Sequence, residues 1–375
     1  MHLFTNSVEG VFVERPNRFV VRVLTTDGII PAHCPNSGRL AEILVPQRRL
    51  ILEDNRRQGR KTDYSVVAAY YKNNIIPLVS RQANLVAKEL ILPSRFPHAD
   101  IITAEPTHGN SRFDFLIRKD AHTTYLEVKA CTLSEYGVAM FPDAPTQRGL
   151  RHLQELSGLR SKNREGMILF VIMHPDTEYF MPNIHTDPHF SAALQAASST
   201  VHIAAASVEA TATGEVRLKQ RDIPVSFSVL RFLEENRGVY ALVIYLRAPA
   251  EITVGKAGTF RFPHGYYVYI GSAKMNLSQR IQRHLRKTKK LHWHIDYLLH
   301  IADKVTPLPI YSGEDDLECR LAHTISPIAD DAVNGFGCSD CTCASHLFFF
   351  RHNPLSEEQF IQRILAYRHR NMILS

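Results

Sequence analysis

Asp114, Glu127 and Lys129 are the residues of this 375-residue chain whose types and spacing point most directly to chemistry. Asp114 lies in one strand-like run, Ser111 to Ile117, and the other two lie in the next, Thr123 to Lys129. Side chains alternate along a strand, so Glu127 and Lys129 share a face, and hairpin pairing of the two runs brings Asp114 to the same edge. Two carboxylates can hold Mg²⁺ or Mn²⁺ through oxygen. Such a cation polarises a phosphate and acidifies a bound water. Lys129 would orient that water or stabilise the charge that develops on phosphorus oxygens. On its own, Glu127-x-Lys129 reads as a surface ion pair. The aspartate-bearing strand before it and the basic helix after it, with Arg148, Arg151 and His152, turn the reading toward a metal-dependent site that cuts phosphodiesters. Arg148 and His152 are four apart on one helical face, which suits phosphate contact and a solvated basic face about equally. Arg39, in the polar loop Cys34 to Arg39, stands at similar odds, and Glu105, ahead of Pro106, reads as a loop carboxylate.

A second constellation lies in the last third. Tyr240 and Tyr269 fall on two strand-like runs, Gly238 to Leu246 and Tyr266 to Gly271, and Arg280 follows on an expected helix from Leu277 to His284 or beyond. From Arg280 to Lys290 there are six Lys or Arg residues and no acid. Arg280, Arg283 and Lys287 share one helical face beside His284, the electrostatic footprint expected for phosphate; a solvated lysine-rich helix is the alternative. Glu318 comes later, near an expected helix start. His292, His294 and Asp296 alternate and would share a face on a strand but not at a helix start. Cys338, Cys341, Cys343 and His346 are spaced tightly enough for Zn²⁺, yet structural zinc sites usually join two separated knuckles and here one cluster is visible. Thiols packing a turn are the competing reading.

The elements that must hold these residues follow from pattern. Residues 1–83 read as short β-branched strands with turn signals, among them the Thr26-Asp-Gly28 hairpin, and suit a small barrel of OB type. Residues 84–232 alternate strands and helices, an α/β layer: Asn84 would cap a helix ending at Pro93, Thr146–Leu159 has helical periodicity, and Glu165–Met173 is an apolar run suited to a strand covered on both faces. After a charged break at Phe232–Arg237, a third α/β domain spans 237–352. A C-terminal helix within 353–375 starts near Ser356, with Phe360, Ile361, Ile364 and Leu365 as its apolar stripe. The formal charge of +7 fits a polyanion partner, and 45% hydrophobic with 22% charged residues is ordinary for a folded globular protein rather than a disordered chain. The first ten residues lack a secretory pattern and no run of about 18 apolar residues exists. A cytoplasmic location is therefore expected, with the six cysteines as reduced thiols or metal ligands rather than a disulfide framework.

Several stretches also carry a family resemblance. Asn17-Arg-Phe19, His33 to Leu40, Ser111 to Phe115, Glu127-Val-Lys129, Phe141 to Gly149, Arg151-His152 and Asp187 to Phe190 occur in the order of the sugar fermentation stimulation (SfsA) proteins. That resemblance, over residues 1–232, implies an OB-type barrel, a PD-(D/E)xK nuclease-like domain and DNA binding. It carries Asp114, Glu127 and Lys129 over as the nuclease-type triad. One departure is Pro46-Gln47, where the family tends to have Pro-Gly. Residues 237–352 resemble the Uri-like branch of the GIY-YIG nucleases through Gly238-Val-Tyr240, Tyr269-Ile-Gly271, Lys290 to Tyr297, Glu318-Cys319 and Gly335 to Cys341. That resemblance implies Tyr240 and Tyr269 at the active centre, one activating water, Arg280 on phosphate and Glu318 on a single divalent metal. The spacer between its two signatures is longer than in the wider superfamily. The expected function is a DNA-binding, metal-dependent nuclease. The alternatives are a non-catalytic DNA-binding regulator of sugar (maltose) metabolism genes on a nuclease scaffold and, third, RNA processing.

Overall fold

The alternation in the first eighty residues is realised as five strands, β1 (Ser7–Asn17), β2 (Val20–Thr25), β3 (Gly28–His33), β4 (Arg49–Asp54) and β5 (Tyr64–Tyr71). Antiparallel pairing runs β3-β2-β1-β4-β5, and parallel pairing of Ala32 with Tyr64 and His33 with Ser65 closes the barrel, the OB-type arrangement. Val21, Val23, Leu50, Leu52, Val66 and Ala68 are buried. Gln47, at the departure from the family's Pro-Gly, sits at φ 70°, a left-handed backbone that glycine adopts without strain. This computed structural model describes residues 1–56, 62–99, 101–109, 111–255 and 258–373. The chain forms two compact units, Met1–Val229 and Leu230–Ser375.

Within the first unit, β6 (Asn74–Pro77) pairs with β5 and touches the α/β layer through Ile75 and Ala210. The helical stretch that follows differs from the expected single helix. It comprises α1 (Gln82–Val86), a π-helical turn (Ala87–Ile91) and α2 (Leu92–Arg95). The chain stays helical past Pro93 because Pro93 falls in the first turn of α2, where its missing N–H costs nothing. Asn84 lies inside α1 and caps nothing. Next come β7 (Ile101–Ala104), β8 (Thr107–His108), β9 (Ser111–Arg112), β10 (Phe115–Lys119), β11 (His122–Cys131), β12 (Ser134–Glu135) and β13 (Gly137–Phe141). The expected Ser111–Ile117 strand is thus broken at Phe113 and Asp114. The layer is completed by α3 (Gln147–Ser157), β14 (Arg164–Ile172), β15 (Thr177–Pro182), α4 (Pro188–Ala197), β16 (Val201–Ala210) and β17 (Val216–Gln220).

The central order is β16-β14-β11-β10-β7, with β11, β14 and β16 parallel and β10 and β7 antiparallel. β14 explains its own apolar run: Met167, Leu169 and Val171 enter one hydrophobic core, while Ile168, Phe170 and Ile172 enter the other. Thr146 caps α3 by accepting from Gly149 N–H at 3.0 Å. Asp187 caps α4 and also accepts from Thr146 N–H at 2.8 Å, tying the two helix starts together.

In the second unit the expected charged break is a short helix, α5 (Arg231–Glu235), ended by left-handed Asn236. Strands β18 (Gly238–Leu246), β19 (Ala250–Thr253), β20 (Thr259–Phe262) and β21 (Gly265–Ala273) follow. After them come α6 (Leu277–Leu285), α7 (His294–Ile301), β22 (Lys304–Tyr311), α8 (Leu317–Ile325), β23 (Asp331–Ala332), β24 (Leu347–Phe350) and α9 (Glu358–Ile373). The sheet order is β22-β18-β21-β24-β23. The long spacer between the tyrosine strands folds in part as the β19–β20 hairpin, leaving β18 and β21 directly paired. Phe360, Ile361, Ile364 and Leu365 of α9 are buried together on one stripe. Among the described residues, no helix is long and apolar enough to cross a membrane.

Candidate functional site

Asp114 sits in the kink between β9 and β10, where its own N–H still donates to Leu126 O at 3.0 Å. Its carboxylate is held on both sides: Oδ2 accepts from Val128 N–H at 2.7 Å and Oδ1 from Asn84 Nδ2 at 2.6 Å. Both bonds reach across the fold to the strand that carries Glu127 and to α1. Glu127 is 4% exposed and lies in the middle of β11, between β10 and β14. Its Oε1 accepts from Lys129 Nζ at 2.5 Å and lies 2.6 Å from His152 Nδ1. Its Oε2 is buried with no hydrogen-bond partner.

Electrostatics separates the two acids. Burial, then the nearby Glu127 charge, pushes the Asp114 carboxyl above its ordinary range. Burial pushes Glu127 the same way, but the His152 hydrogen bond and the Lys129 ammonium outweigh it and hold Glu127 below the usual carboxylate range. His152 is 3% exposed, so it is not the surface phosphate contact expected from its helix position. Its Nε2 takes a long 3.4 Å bond from Arg148 Nε, which leaves Nδ1–H for Glu127. His152 thus holds the Glu127 carboxylate in place. Arg148 and Arg151 are exposed on the same helix.

Asp114, Glu127, Lys129 and Asn84 line a cavity of about 720 Å³, together with Arg18, Arg39, Arg81, Arg148 and Asp143. Arg39 is exposed on the barrel loop, so the loop and the carboxylate strand face one space although some ninety residues separate them. Arg15 orders that loop: its guanidinium donates to the carbonyls of Arg18, Asn36, Gly38 and Arg39 at 2.7–2.8 Å. A Cβ at Gly38 would lie 2.2 Å from Asp143 Oδ2, so any larger residue there would have to displace the Asp143 carboxylate. Sequence reasoning missed Asn84, Arg15, Arg18, Arg81 and Asp143. Asp143 lay within the Phe141–Gly149 stretch and Arg18 within Asn17-Arg-Phe19, while nothing local marks the others. Glu105 is the loop carboxylate expected, paired with Arg112 at 3.3 Å.

In the second unit, β18 pairs with β21 so that Tyr240 faces Gly271 and Leu242 faces Tyr269, which puts both tyrosines on one side of the sheet. Their ring centroids are 6.4 Å apart. A Cβ at Gly271 would lie 2.5 Å from the Tyr240 hydroxyl, which accounts for glycine in that position. The Tyr240 hydroxyl is 2.9 Å from His284 Nε2. Burial raises both tyrosines well above their ordinary range and lowers His284 to about 4. At neutral pH both phenols are therefore protonated and His284 is neutral. Neutral His284 is the hydrogen-bond partner of the protonated Tyr240 phenol. Arg280 donates to Ser272 O at 2.6 Å and stacks over Trp293. Glu318 accepts from the Ser272 hydroxyl, and its Oε1 is 2.9 Å from His346 Nδ1.

The expected basic face is only partly realised. Helix α6 ends at Leu285, so Lys287 is exposed beyond it rather than one turn along it. His284 is buried, and Arg283 is engaged in a bidentate pair with Asp296 at 2.8–2.9 Å. Asp296 is fully buried in the first turn of α7, which separates it from His292 and His294 as a helical start must. The cysteine cluster also differs from expectation. The side chains of Cys319, Cys341, Cys343 and His346 converge, with all ligand atoms within 4.8 Å of one another. Cys338 stands apart, its Sγ 3.8 Å from Ala344 O. The missing partner is Cys319 on α8, adjacent in sequence to Glu318.

Comparison with known proteins assigns the segments in order. Residues 13–78 match a family described as the SfsA N-terminal OB domain, residues 81–214 the sugar fermentation stimulation protein RE domain, and residues 239–368 a domain of unknown function, DUF123. A sugar fermentation stimulation protein homolog of Clostridium kluyveri is 40% identical over 194 residues, covering 51% of this chain and 84% of the relative. One from Thermoanaerobacter sp. is 42% identical with the same coverage. The solved structure of Pyrococcus furiosus SfsA in complex with Ca²⁺ is 29% identical, with a TM-score of 0.55, and the match covers 60% of this chain and 99% of that one.

Proposed function

The chain belongs to the sugar fermentation stimulation protein family, and on that premise we propose that its first unit is a DNA-binding, divalent-metal-dependent phosphodiester hydrolase centred on Asp114, Glu127 and Lys129. The observation that carries this reading is the Glu127 carboxylate. Lys129 and His152 occupy one oxygen while the other is buried and unpartnered, and Asp114 is held nearby despite its like charge. An unpaired buried carboxylate oxygen is costly unless a cation completes it. An all-oxygen donor pair fits a hard cation such as Mg²⁺ or Mn²⁺, and the Ca²⁺ named for the Pyrococcus protein is of the same kind.

Asp114 and Glu127 would hold the metal. When bound there it supplies polarisation of a phosphate oxygen and acidification of a water. The chain's own residues do the rest. His152 and Lys129 fix the rotamer of Glu127, and the Lys129 ammonium places a positive charge where a phosphate gains negative charge. Arg18, Arg39, Arg81 and Arg148 on the cavity wall neutralise flanking phosphates. A panel of single- and double-stranded DNA and RNA with Mg²⁺ or Mn²⁺ tests this. The wild-type chain is expected to cut, and Asp114→Ala or Glu127→Ala to bind without cutting. A wild type that binds DNA but cuts nothing supports the non-catalytic regulator instead.

A specific observation favours a second phosphodiester site in the other unit. Tyr240, Tyr269, Arg280 and Glu318 are close enough to perturb one another, and the Tyr240 hydroxyl is 2.9 Å from His284 Nε2. Tyr269→Phe in the same panel assigns any cleavage that survives loss of Asp114.

A further inference from the structure

We propose that Cys319, Cys341, Cys343 and His346 form a structural Zn²⁺ site, and that Glu318 is the carboxylate partner of its histidine ligand. Two separated elements supply the ligands: Cys319 comes from the first turns of α8, and the Cys341-x-Cys343-x-x-His346 knuckle comes from the loop that leads into β24. That is the two-part construction of structural zinc sites, and Cys₃His is one of their standard ligand sets. Zinc–sulfur bonds near 2.3 Å and zinc–nitrogen bonds near 2.0–2.1 Å place S and N about 3.6 Å apart around a tetrahedron. His346 Nε2 lies 3.5 Å from Cys341 Sγ and 4.0 Å from Cys319 Sγ, so these two pairs are within tenths of an ångström of that spacing.

The histidine is oriented for the task. His346 Nδ1 is 2.9 Å from Glu318 Oε1, so Nδ1–H donates to the carboxylate and Nε2 faces the thiols. Metal-bound histidines usually carry such a partner. The loop is pinned by backbone bonds from His346 N–H to Phe336 O and from Ile270 N–H to His346 O, both 2.9 Å. Binding would release the three thiol protons to solvent and leave the Zn²⁺, three thiolates and a neutral imidazole with one net negative charge. Cys338 is excluded, since its thiol is directed to Ala344 O.

The test is metal content, which does not depend on nuclease activity. The full chain, purified without a tag under reducing conditions and loaded with Zn²⁺, is expected to keep about one zinc after dialysis. Cys338→Ala should keep it, and Cys319→Ala and Cys341→Ala should lose it. In competition with a chromophoric chelator, Glu318→Ala should weaken zinc affinity by about 10- to 100-fold. Wild-type protein without zinc, or loss of zinc from Cys338→Ala alone, overturns the site. Unchanged affinity in Glu318→Ala overturns the Glu318 link. If Cys319→Ala is insoluble, Co²⁺ loading of the wild type decides: tetrahedral cobalt–thiolate bands support the assignment, and their absence overturns it.

Discussion

Replacing Asp114 with asparagine is expected to remove divalent-metal binding from the first unit without harming its metal-free fold. Asparagine keeps the shape, and its oxygen can still accept from Val128 N–H. Its amide can donate to Asn84 once the Asn84 amide turns over, replacing the bond that Asn84 Nδ2 now makes. What is lost is one of two negative charges that burial and Glu127 already disfavour. An acid whose folded pKa is raised contributes stability fully below its ordinary range and loses it as pH rises through the folded value. At neutral pH, therefore, metal-free Asp114→Asn should be at least as stable as wild type. With metal the order reverses. At a free metal concentration a hundredfold above Kd, ligation stabilises the wild type by about 2.7 kcal/mol. For a domain of this size that corresponds to about 5–10 °C in melting midpoint. Scanning calorimetry with and without Mg²⁺, Mn²⁺ or Ca²⁺ measures it. An equal upward shift in the variant, or no shift in the wild type, would refute the assignment of Asp114 and Glu127 as the metal pair.

Glu42 is fully buried and its carboxyl is pushed up to about 8, first by burial and further by Asp143 and Glu135. Its stabilisation is complete below about 4.5 and is lost as pH rises toward 8, so between about pH 5.5 and 7.5 wild type should lose about 2.5 kcal/mol relative to Glu42→Gln, read from urea titrations across that range. Arg39→Ala and Arg148→Ala, both on the cavity wall, should each weaken duplex binding and lower the salt slope of log K by about 0.9, measured by fluorescence anisotropy; unchanged slopes would place DNA elsewhere. Asp296→Asn breaks the buried bidentate pair with Arg283 and should destabilise the second unit by about 3 kcal/mol in chemical denaturation.

The chain's local order was legible before any coordinates. The period-2 runs gave the barrel strands, the continuous apolar run gave β14, and the Glu-x-Lys spacing put Glu127 and Lys129 on one strand. These features depend on neighbours a few residues apart, and backbone geometry makes that spacing sufficient. What each polar residue bonds to was another matter. Asn84 reads as a cap but serves Asp114, thirty positions away. His152 and His284 read as phosphate contacts but are buried against Glu127 and Tyr240. Cys338 belongs to the cysteine cluster by spacing, yet Cys319 takes its place because α8 packs beside the loop before β24. Sequence by itself determined which residues could do chemistry and which strands carry them. Only the tertiary structure decided that Glu127 would have one oxygen tied by Lys129 and His152 and the other left unpartnered. That outcome depends on α3 bringing His152 against β11, and docking is set by side-chain packing between distant segments rather than by the period of any one.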